Sequence, residues 1–123
     1  MGARTPEDVD REFAVALNSG NIDALVALYE PDASLTAQPG STVKGHAAIR
    51  EALSGLISAK PHITLTPRVV TQARDVALVS AQWQLALTGA DGKPTSMSGK
   101  SVEVIRRQRD GTWLFAMDEP FGV

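Results

Sequence analysis

Glu103 and Asp118 are the residues of this chain whose type and spacing best suit chemistry. They stand on two apolar runs, SVEVI and TWLFAMD, either side of Asp110-Gly111, a dipeptide that signals a tight turn between antiparallel strands. Their separations from the turn match (110 − 103 = 7 and 118 − 111 = 7), so the hairpin brings the two carboxyls close across the strands. One arm alternates Val102 and Val104 with Ser101, Glu103 and Ile105. The other alternates Trp113, Phe115 and Met117 with Leu114, Ala116 and Asp118. Neither face is polar throughout, so the pair needs cover on both sides. A carboxyl buried there must be paired or protonated. Two carboxyls within reach of one reacting centre can serve as general acid and general base, and their titrations couple. The plainer alternatives are a structural link from Glu103 to an arginine or hydroxyl, and an Asp118 that serves the backbone of the DEPFG turn after it.

The other candidates carry less chemistry. Trp83 lies mid-strand and either packs the core or forms a pocket wall that stacks a ligand. Tyr29 reads as an amphipathic core residue whose hydroxyl needs a partner. His46 and His62 sit near element ends. With no cysteine, no HExxH and no second histidine at ligand spacing, no metal site is expected. There is no Ser-His-Asp order, phosphate loop or dinucleotide fingerprint, so no cofactor is expected either. Lys100, Arg106, Arg107 and Arg109 read as the solvated end of the hairpin.

Composition bounds the function class. A chain of 123 residues reads as one domain, 1–123, long enough to bury a core without staples. Twelve basic against fourteen acidic side chains leave a net charge of −2, which speaks against a nucleic-acid binder. No apolar run approaches the length of a membrane span. MGARTPEDVD has no apolar signal core, and cysteine is missing, so a cytoplasmic protein is the expectation.

The elements that must position these residues follow from periodicity. Thr5-Pro6-Glu7-Asp8 starts a helix, with Val9, Phe13, Ala16 and Leu17 on one face and Gly20 at its end. Asn21 caps a second helix carrying Ile22, Leu25, Val26 and Tyr29, stopped by Pro31. Residues 33–36 form a short strand, and Gln38-Pro39-Gly40-Ser41 a loop. A third helix follows Gly45-His46, with Ile49, Leu53, Leu56 and Ile57 along one side. Next come a strand around Ile63–Val69, where Pro67 demands an edge or a bulge, a long strand near 76–88, and the hairpin arms 97–109 and 112–118. Helices at the front and antiparallel strands behind mean α+β. The helices can cover one sheet face only, and Trp113, Phe115 and Met117 leave the other apolar. A homodimer through that face is therefore expected.

ALNSGNIDALVALYEPDASL, the Pro-Gly loop and VKGHAAIREAL resemble the cone-shaped α+β fold shared by nuclear transport factor 2, ketosteroid isomerase, scytalone dehydratase and SnoaL-like polyketide cyclases. VEVIRRQRDGTWLFAMDEPFG resembles the YybH-type branch of that superfamily. The resemblance spans roughly residues 6–122 and implies three N-terminal helices packed on a curved, mainly antiparallel sheet, with a deep apolar pocket in the cone. Against ketosteroid isomerase it places the protonated acid at Glu103 and the supporting tyrosine at Tyr29. The oxyanion tyrosine falls on Phe13, the third-helix tyrosine on Leu53, and the base on Ala37 or Gln38, none of which keeps the function. Steroid-isomerase activity is therefore set aside.

The expected protein is a dimeric domain that binds a small, largely apolar molecule. Its pocket is expected to involve Phe13, Tyr29, Gln38, Leu53, Trp83, Ser101, Glu103 and Ala116. Desolvation should keep Glu103 partly protonated, able to hydrogen-bond a ligand carbonyl or hydroxyl. The alternatives are a cofactor-independent acid/base enzyme (isomerase, dehydratase, cyclase or epoxide hydrolase type) using Glu103 and Asp118, and an association module whose pocket is vestigial.

Overall fold

The computed structural model describes residues 2–122. Helix α1 spans Pro6–Asn18. Its Thr5 cap accepts a bond from the Asp8 amide at 3.2 Å, and Val9, Ala16 and Leu17 are buried beneath it. The Asn18 side chain both donates to the Ile63 carbonyl (3.0 Å) and accepts from the Ile63 amide (2.7 Å), clamping the helix end to the sheet. Helix α2 starts under an Asn21 cap, which accepts from the Ala24 amide at 3.1 Å.

That helix is shorter than its periodicity suggests, Ile22–Val26. The expected helical Tyr29 is instead the first residue of strand β1, Tyr29–Gln38. Tyr29 pairs with Phe115, and the Phe115 amide donates to the Leu28 carbonyl at 2.8 Å. These bonds and the complete burial of the phenol outweigh the weak gain from one more helical turn. A strand not foreseen, β2 at Ser41–Lys44, folds back on β1. Gly40 supplies the left-handed conformation at the turn (φ +79°).

Helix α3, His46–Ser58, buries Ile49 and Leu53. Strands β3 (His62–Ala73), β4 (Val76–Thr88), β5 (Pro94–Arg107) and β6 (Trp113–Glu119) follow. They form one sheet in the order β2-β1-β6-β5-β4-β3. Every neighbouring pair is antiparallel except β1 with β6. Pro67 lies on β3, at the sheet's edge, where a missing amide is tolerated. Helix α1 packs across β3 and reaches β4, β5 and β6, while α3 packs on β1, β2 and α2. The architecture is α+β, with helices on one face of a mixed, mainly antiparallel sheet. No helix among the described residues is long and apolar enough to cross a membrane.

One irregularity decides what the inner face contains. Between β5 and β6 the register runs Val104–Met117 and then Ile105–Phe115, leaving Ala116 as an extra residue. Such a bulge reverses the side-chain alternation beyond it. Trp113, Phe115 and Met117 therefore do not form one face, as strict alternation requires. Trp113 and Phe115 belong to this chain's own core, while Met117 is 52% exposed. The surface expected to dock a second subunit is in two of its three residues already filled by this chain.

Candidate ligand pocket

Phe115 is the pivot of the packing under the helices. Its ring meets Phe13 of α1 edge-on at 6.1 Å and Tyr29 at 4.8 Å. Beside it, α1, α3 and the sheet enclose a cavity of about 430 Å³, within the usual range for small-molecule sites. Leu53, Leu56, Ile63 and Leu85 supply much of its apolar wall. Trp83 lies along one side, its indole N–H donating to the Pro120 carbonyl at 2.7 Å. Its ring lies so close over Gly99 that an added Cβ there would come within 2.8 Å of it. Trp83 is thus both core and pocket wall. Gln38 and Pro39 of the first hairpin and Phe121 of the C-terminal turn also line the cavity.

Acids mark the polar part of the wall. Glu103 and Asp118 are direct Cα partners across β5 and β6, and both line the cavity. The bulge at Ala116 gives Asp118 the side of Phe115, not that of Leu114 and Ala116 as simple parity has it. Asp118 accepts a 2.6 Å hydrogen bond from the Tyr29 hydroxyl. The turn after β6 is served by Glu119, which accepts from the Phe121 amide at 3.3 Å. A third acid, Asp10, enters from α1 and is 3% exposed. Asp10 Oδ2 and Glu103 Oε1 are buried, and as two carboxylates neither would have a donor; with a proton on Glu103 the two carboxyls hydrogen-bond each other.

Burial dominates the electrostatics. Desolvation, then the facing Asp10 carboxyl and then the charge of Asp118 push Glu103 up to about 11, against a smaller opposing effect of the Ser101 hydroxyl. Glu103 is therefore a neutral acid at pH 7, able to donate. Asp10 is also raised, by burial first, with Glu103 and Arg11 opposing. Desolvation lifts Asp118 to about 7, while the Tyr29 hydrogen bond holds it down. Burial first, and then the charge and hydrogen bond of Asp118, push the Tyr29 phenol well above its ordinary range. Tyr29 acts here as a donor, not as a base.

Of the residues expected at the pocket, Phe13, Gln38, Leu53, Trp83, Ser101 and Glu103 line it. Tyr29 and Ala116 do not. Tyr29 stands behind Asp118, and Ala116 is the bulge residue, buried elsewhere. Asp10 was missed. Its signal was available: it falls three residues before Phe13 and seven before Leu17, on the apolar stripe of α1, where a carboxyl has no solvent.

A SnoaL-like domain model matches residues 9–115. The chain belongs to the SnoaL-like family. The match does not assign it to the YybH-type branch. No curated protein sequence matches it. Solved structures share the cone fold at low identity. A candidate scytalone dehydratase from Novosphingobium aromaticivorans superposes with a TM-score of 0.83 at 17% identity, over 94% of this chain and 80% of the other. A ketosteroid isomerase-like protein from Erwinia carotovora atroseptica gives 0.79 at 21%, over 91% and 88%. A candidate calcium/calmodulin-dependent protein kinase type II association domain from Thiobacillus denitrificans gives 0.75 at 19%, over 97% and 95%. Relatives named for dehydration, isomerisation and association on one backbone tie this SnoaL-like chain to a fold and not to a reaction.

Proposed function

We propose that this SnoaL-like protein binds a small, largely apolar molecule in the cone and holds one polar group of it on the acid cluster. The observation that carries this reading is the cluster of three buried carboxyls, Asp10, Glu103 and Asp118, on the wall of a largely apolar cavity. Asp10 and Glu103 share a proton across their own hydrogen bond, which leaves the other carboxyl oxygens of the cluster as acceptors for a polar ligand group. An open cavity also weighs against a purely associative role, for which side chains would fill it. The ligand-observed NMR screen that tests this uses small apolar fragments on wild type and Leu53→Trp, a substitution that occupies the cavity. Fragment binding that disappears in a folded Leu53→Trp supports the pocket. Binding unchanged by that substitution overturns it.

A second reading is favoured by Glu103 and Asp118 being cross-strand partners whose proton affinities are driven apart, to about 11 and about 7. Such a pair suits general-acid and general-base roles in cofactor-independent isomerisation, dehydration, cyclisation or epoxide opening, with Glu103 the donor and Asp118 the acceptor. Steroid-isomerase chemistry stays outside the proposal: Phe13 has no hydroxyl, and neither Ala37 nor Gln38 can take a proton. Homodimer formation is part of the same proposal, transferred to the outer sheet face that carries Leu78, Val104 and Met117 on adjacent strands.

A further inference from the structure

The chemistry of the ligand's polar end is constrained by what the cavity wall lacks. Among the described residues three carboxyls line it, from Asp10, Glu103 and Asp118, and no lysine, arginine or histidine does. Among the described residues, the ion pairs join Asp8 to Arg11, Asp23 to Arg50, Glu30 to Arg106 and Asp75 to Arg107. None reaches the cluster. Inside it, the Tyr29 hydroxyl is the donor to Asp118, while Asp10 and Glu103, 3% and 1% exposed, bond each other, with the Ser101 hydroxyl beside Glu103. Whichever of these two acids holds a proton, the other oxygens can only accept.

A carbonyl ligand offers an acceptor and can satisfy at most the one acidic O–H. An anion would face three acids. A group with several N–H bonds and a positive charge answers both deficits at once, through charge-assisted bonds that are the stronger kind. Phe13, Trp83 and Phe115 also line the cavity, and a cation that meets the face of such a ring gains a second attraction. Resting on the pocket reading above, we infer that the ligand is a lipophilic amine bound as a monocation, its ammonium on Asp10 and Glu103 and its apolar body between Leu53 and Trp83.

The test is calorimetric titration of the full chain at pH 7 with four probes that share one body: naphthylmethylamine, naphthylmethanol, methyl naphthyl ketone and methylnaphthalene. The amine should bind about tenfold or more tighter than the alcohol and the ketone, a difference of about 1.4 kcal/mol. Asp10→Asn and Glu103→Gln should remove that advantage while methylnaphthalene binds as before. Should neither variant fold, the wild-type series still decides. A ketone or alcohol that equals or exceeds the amine overturns the inference and leaves the pocket standing. So does an amine whose advantage survives in both folded variants. Absence of binding by all four probes overturns the pocket and the inference together.

Discussion

Glu103 ties the chemistry of the pocket to the stability of the protein. Its folded value is raised from 4.5 to about 11, burial being the main cause, so the folded chain holds a proton that the unfolded chain releases. That contribution is complete below pH 4.5 and is lost as pH rises towards about 11, at about 1.4 kcal/mol per pH unit for a fully held proton. Asp118 adds a loss of the same sign between 3.8 and about 7. Thermal melts should therefore show wild type losing stability from pH 5 to pH 9 relative to Glu103→Gln. Parallel curves for the two proteins would remove Glu103 as the proton holder. Gly99 makes a second prediction. A methyl group there would sit 2.8 Å from the Trp83 ring, whose N–H is fixed to Pro120. Gly99→Ala should cost about 1–3 kcal/mol through this overpacking, and the Trp83 emission should shift. An unshifted spectrum with an unchanged melting point would disprove the contact.

Two local devices turn elements into a site. The Asn18 clamp fixes the end of α1 to β3 by a donor and an acceptor on one side chain, and α1 carries Asp10 and Phe13 to the cavity. Asn18→Ala, which strands both backbone groups of Ile63, should lower unfolding free energy by about 1–3 kcal/mol in denaturant titration. A loss within experimental error would show that water replaces the clamp. The bulge at Ala116 is the other device, since it aims Asp118 inward beside Glu103. Tyr29, at the start of β1, then holds Asp118 down through its 2.6 Å hydrogen bond. Tyr29→Phe should raise the Asp118 titration in carbon-detected NMR above its wild-type value of about 7. A fall would mean that Tyr29 does not donate to it.

The molecule as a whole has an inner face covered by its helices and an outer face that is not. Leu78, Val104 and Met117 follow one another across β4, β5 and β6 on that outer side, and Met117 is half exposed. The proposed dimer buries this strip. Sedimentation should find a dimer at micromolar concentration in wild type and a monomer in Met117→Glu, because a charge without a partner cannot be buried there. A monomeric wild type, or a dimeric Met117→Glu, counts against the outer face as the interface.

What the chain's order alone determined is its plan. The cap at Thr5, the stop of α3 ahead of Lys60-Pro61, the span of β4 and the Asp110-Gly111 turn are local matters of periodicity and backbone chemistry, and they were legible. Counting outward from the turn also put Glu103 beside Asp118, but the strands leave the turn with Arg107 opposite Trp113, and it is the bulge at Ala116 that makes up the one-residue offset. Contacts between distant segments decided the remainder. Tyr29 left its helical pattern because a strand 86 positions away in the Phe115 pairing offered backbone bonds and a buried seat (115 − 29 = 86). Met117 and Phe115 parted because one extra residue in β6 reversed the alternation, and no residue type announces such a bulge. Asp10 became part of the site only when α1 was laid across the sheet. Its carboxyl then lost water to the same apolar surface that buries Glu103, and desolvation by tertiary packing made the acids a cluster.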